Sequence, residues 1–68
     1  KAGIRICQLT NAVTVSAKSD TTIHIYNMQG KHIASRSIKA NEFVTIPLPE
    51  GIYIAKVQGM KYMKFIVS

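Results

Sequence analysis

The pattern that most restricts this chain is a two-residue alternation of apolar and polar side chains, in short runs broken by turn residues. Strict alternation places one set of side chains on each face of an extended strand, and it cannot make an apolar stripe on a helix. Residues 4–9 (IRICQL) put Ile4, Ile6 and Gln8 on one face, and residues 12–17 (AVTVSA) pair Val13 with Val15. Residues 21–27 (TTIHIYN) are rich in β-branched and aromatic types and align Ile23 with Ile25. A more polar strand follows at 31–38, centred on Ile33. Residues 42–48 (EFVTIPL) align Val44, Ile46 and Leu48, and Pro47, which lacks an N–H, marks this strand as an edge. Residues 52–57 (IYIAKV) and 61–67 (KYMKFIV) complete the set, with Met63, Phe65 and Val67 alternating inward.

Turn chemistry separates the runs. Lys18-Ser19-Asp20, Asn27-Met28-Gln29-Gly30, Lys39-Ala40-Asn41, Pro49-Glu50-Gly51 and Gln58-Gly59 each combine residues that favour tight turns. Seven short strands at this spacing predict an all-β fold, a β-sandwich or small barrel, with no amphipathic helix. Val13, Val15, Ile23, Ile25, Val44, Ile46 and Phe65 are the expected core.

Length sets the next limit. Residues 1–68 suffice for one domain, and a chain this short buries only about 60% of its unfolded surface. A deep catalytic pocket would compete with the core for the same few apolar side chains. No apolar run approaches the roughly 20 residues of a membrane helix, so the chain is not expected to span a membrane. Cys7 has no partner for an internal disulfide and is expected to pack as a small hydrophobe in its strand.

The side chains needed for chemistry are present but scattered. Asp20, Glu42 and Glu50 all fall in or beside turns and make no convincing acid/base pair. His24 and His32 lie eight residues apart around the Gly30 turn, where a hairpin could bring them together, but no third metal ligand accompanies them. They are read as ordinary surface histidines. No nucleophile elbow, glycine-rich phosphate loop or base beside Cys7 is present. The expected catalytic, metal and cofactor-binding sets are therefore empty.

The formal net charge of +6 comes from nine Lys and Arg residues against three acids. Such a balance can attract nucleic acid or an anionic surface. The bases Lys1, Arg5, Lys18, Lys31, Arg36, Lys39, Lys56, Lys61 and Lys64 form no dense run, however. Solvated turns and strand edges account for them, and edge lysines discourage edge-to-edge aggregation. Tyr26, Tyr53, Tyr62, Phe43 and Phe65 fit the alternation as well as they would fit base stacking, so no nucleic-acid partner is expected.

Three segments, in order, resemble a known family. "TTIHIYNMQGKHI" (21–33) is similar to the hairpin of the C-terminal sorting domains of the type IX secretion system, a Val-x-Ile-Tyr-Asn/Asp-x-x-Gly-Lys pattern. "IPLPEGIYIAKV" (46–57) is similar to that family's Leu-x-x-Gly-x-Tyr-x-x-x-Val segment, and "KYMKFIVS" (61–68) to its terminal strand. The resemblance covers residues 21–68. It implies a seven-stranded Ig-like sandwich on a secreted or surface protein of Bacteroidota bacteria. It also implies recognition in the periplasm, passage through the outer-membrane type IX translocon, and processing by sortase-like components that join the cargo to anionic lipopolysaccharide. On this reading the chain is the C-terminal piece of a larger secreted protein. Where the family often opens on Pro-Asn-Pro, this chain has "KAGIRICQLTNAVTV". That departure leaves two readings: a divergent sorting domain, or a retained Ig-like accessory module that holds or binds another domain. Under the first, the recognised surface is expected between Gly51 and Ser68. Lys56, Lys61 and Lys64 supply charge there, and Gly51 and Tyr53 set backbone and packing, the tyrosine hydroxyl bonding back to the main chain.

Overall fold

A computed structural model describes residues 3–68; Lys1, one of the scattered bases, lies outside the described residues. The seven strands are β1 (Ile4–Leu9), β2 (Ala12–Ala17), β3 (Thr21–Asn27), β4 (His32–Ile38), β5 (Phe43–Pro47), β6 (Gly51–Val57) and β7 (Met63–Val67). They form two antiparallel sheets, ordered β1-β2-β5 and β4-β3-β6-β7, packed as a sandwich with no helix among the described residues. The constant-type Ig arrangement keeps its fourth strand with the first, second and fifth. Here β4 instead pairs with β3, so the sheet holding the C-terminal strand is the wider one.

Alternation builds the core as the sequence requires. Val13, Val15 and Ala17 project from β2, Ile23 and Ile25 from β3, Tyr53, Ala55 and Val57 from β6, and Phe65 and Val67 from β7; all are buried. Ile46 of β5, Leu48 just beyond it and Ile38 of β4 are buried with them. Val44, expected in the core, is half-buried and packs against it, while Ile46 on the same edge strand is fully buried. Pro47 ends that edge strand, where a missing N–H costs no ladder bond.

Two expectations are corrected. Cys7 is not packed as a hydrophobe; it is exposed. It shares the outward parity of Arg5 and Leu9 on edge strand β1, opposite Thr14, while Ile4 and Ile6 face the core. The fourth strand is not centred on Ile33, which is 39% exposed. Ile25 pairs with Ala34 while the next residue, Tyr26, pairs with His32, so Ile33 is the extra residue of a bulge. Ile38, at the far end of β4, supplies the buried side chain.

The turns are held by specific main-chain bonds. Asn27 Oδ1 accepts from the N–H groups of Gln29 and Lys31, both at 2.9 Å, and Gly30 turns the chain at φ 85°. Asp20 Oδ1 accepts from the Ala40 N–H at 2.8 Å, tying the β2–β3 turn to the β4–β5 turn. Asn11, at φ 57°, donates its N–H to Ser68 O at 2.7 Å and accepts from the Leu48 N–H at 3.1 Å. One asparagine in the β1–β2 turn thus fastens both the C-terminal residue and the chain leaving β5.

Candidate functional site

The residues singled out between Gly51 and Ser68 lie on β6, β7 and the two turns that flank β6. Gly51 opens β6 opposite Val67. Two residues on, Tyr53 points inward and stacks on its cross-strand neighbour Phe65, with ring centroids 5.8 Å apart. Its hydroxyl donates to Pro49 O at 2.7 Å. A buried phenol needs a partner, and this carbonyl belongs to the turn that brings the chain into β6. Tyr53 therefore couples the β5–β6 turn to the C-terminal strand. Gly51 lies beside that ring: a Cβ placed on it would meet the tyrosine hydroxyl oxygen at 3.7 Å, an ordinary packing distance. Tyr53→Phe keeps the stacked ring and removes only the hydroxyl. We expect a loss of about 0.5–1.5 kcal/mol, the usual net value of one such hydrogen bond, read from the urea midpoint at unchanged slope. A loss near zero would show that the Pro49 bond does not hold the turn.

Lys56 faces outward but does not stand free. Its ammonium donates to Met60 O at 3.0 Å and lies 5.4 Å from the centre of the Tyr62 ring. The ammonium closes the β6–β7 turn, in which Gly59 takes φ 79° and Met60 donates its N–H to Val57 O. Lys61 and Lys64 are exposed, the first in the turn and the second on β7. Since β7 is an edge strand, one side of its backbone is unpaired within its sheet. Edge backbone flanked by exposed lysines can accept a further strand while charge guides its approach.

The remaining candidates do not converge on a catalytic centre. Asp20, Glu42 and Glu50 occupy three different turns, and Asp20 is engaged as a turn staple. His24 and His32 are brought to a ring separation of 5.7 Å, and Tyr26 meets His32 edge-on at 5.4 Å. Among the described residues no third metal-ligating side chain joins them. Also among the described residues, no helix is long and apolar enough to cross a membrane.

Sequence reasoning missed Asn11. Its visible signal is an asparagine in the two-residue gap between β1 and β2, where left-handed backbone is needed. Its contact with Ser68 is a long-range pairing that alternation does not encode.

The sequence model of one protein family, the secretion system C-terminal sorting domain, matches residues 9–68. No curated protein and no solved structure matches the chain.

Proposed function

Because the chain belongs to the family of type IX secretion C-terminal sorting domains, we propose that it is a folded export tag, read through its C-terminal half as it is carried out of a Bacteroidota cell. The family is one of sorting signals and not of enzymes, and its members direct export to the cell surface or into the medium. We place recognition in the periplasm, by the type IX translocon and its sortase-like partners, with the parent protein afterwards joined to anionic lipopolysaccharide.

One observation carries this reading: the family match runs through β7 to Ser68, and β7 is an edge strand of its sheet. Gly51 and Tyr53 hold the strand that supports β7. Lys61 and Lys64 offer charge to the receptor, and Lys56 shapes the turn between them and β6. A sandwich that displays an edge needs no catalytic pocket to act as a tag.

Replacing Lys61 and Lys64 by alanine in a domain fused to a reporter tests the charge part. The melting temperature is expected to stay within a few degrees, since both side chains are exposed. Export is expected to fall. Normal export by the folded double variant would remove the lysines from recognition. Retention of the whole fusion as a stable periplasmic product would favour the accessory-module reading.

A further inference from the structure

The two outward faces of the sandwich differ. On the narrower sheet the central outward row is Cys7-Thr14-Thr45, and the two threonine hydroxyls bond to each other at 3.2 Å. On the wider sheet the corresponding rows are His32-Tyr26-Ile54-Lys64 and Ile52-Ile66, with His24 beside Lys56 at one margin. Ile52 is 43% exposed and Ile66 is 53% exposed. A shallow depression of about 480 Å³ opens between Tyr26, Gly30, Ile54 and Tyr62. Every acid in the chain lies in a turn, so the strands of this face carry lysine and histidine and no carboxylate.

We propose that this outer face of β4-β3-β6-β7 is a docking surface for a protein partner whose contact region has an apolar centre and an acidic rim. The proposal rests on the sorting reading and deepens it, adding Tyr26, Ile54 and Ile66 to the recognised surface.

The chemistry selects that occupant. Aliphatic side chains in the middle of the patch reward a dry contact, and Lys64 at its border rewards a carboxylate. A sugar or a nucleobase would need a free aromatic face. The apolar residues that β6 and β7 give to this face are instead the aliphatic Ile52, Ile54 and Ile66, which stack no ring. A second copy is disfavoured, because a two-fold pairing would set two faces without carboxylates, on chains of formal charge +6, against each other.

The test is export of a fused reporter in cells with a working type IX translocon, using Tyr26→Ser, Ile66→Asp and Lys64→Glu. Thr45→Asp on the opposite face serves as control. Ile66 and Lys64 are exposed on an edge strand, so these two variants are expected to melt like the parent even if Tyr26→Ser does not. The expected result is a loss of export of about tenfold or more for Ile66→Asp, which puts a charge into the apolar patch, and a clear loss for Lys64→Glu, which sets a like charge against the acidic rim. Thr45→Asp is expected to be exported normally. Unmodified fusion retained in the cell would overturn the sorting reading and this inference together. Export of the unmodified fusion and of both folded variants alike would overturn this inference alone. Binding of the purified domain to vesicles of anionic phospholipid, abolished by Ile66→Asp, would identify the wrong class of partner and overturn it as well.

Discussion

Ile25→Ala is expected to destabilise the domain by about 2–5 kcal/mol, the range for removing a large aliphatic side chain from a core. Ile25 has no exposed surface and sits in β3, an inner strand bonded to both β4 and β6. Sandwich sheets interdigitate across the interface, so neighbours on rigid strands cannot collapse far into the gap. A chain of this length has a total stability of about 3–10 kcal/mol. The substitution therefore removes a large share of it and lowers the melting temperature by at least about 8 °C. Urea unfolding gives the value directly. A loss below about 0.5 kcal/mol would mean that the side chain is not enclosed and that β3 faces the other way.

The second large effect is expected from removing residues 63–68. This takes away β7, and with it Phe65 and Val67, whose burial contributes roughly 3–6 kcal/mol. It also strips the stacking partner from Tyr53 and the acceptor at Ser68 O from Asn11. The loss is of the same order as the whole stability, so the truncated chain should lose cooperative unfolding. A fused reporter should lose export with it. Normal export of a reporter bearing the truncated chain would show that neither the terminal strand nor the fold is read.

Much of the fold was legible because alternation is a local signal. Each strand announced itself over a few residues, and the family-like segments at 21–33, 46–57 and 61–68 agreed with that count. The expectations that failed did so where a long-range choice overrode the local pattern. Ile33 has the right neighbours for a strand centre, yet the bulge opposite Tyr26 ejects it. Cys7 is as apolar as many core residues, but the phase set by Ile4 and Ile6 turns it outward on an edge. Sheet membership was legible only in part: the Asn27–Gly30 turn announced the β3–β4 hairpin, but nothing in the sequence says that β2 goes to β5 and β3 to β6. For the candidate site, composition pointed to Lys56, Lys61 and Lys64 alike. The fold separates them, because of the three only Lys56 has a carbonyl and an aromatic ring within its reach. The apolar outer face escaped notice because its residues are contributed by four strands. Tyr26, Ile54 and Ile66 are far apart along the chain and meet only once the register is fixed.

The central claim is that this sandwich is itself sufficient as a type IX export signal. The most direct measurement places residues 1–68 at the C-terminus of an otherwise periplasmic reporter, in cells with an intact translocon and in cells lacking it. The account predicts reporter on the surface or in the medium of the first and none outside the second. Equal retention in both, or equal release from both, would contradict it.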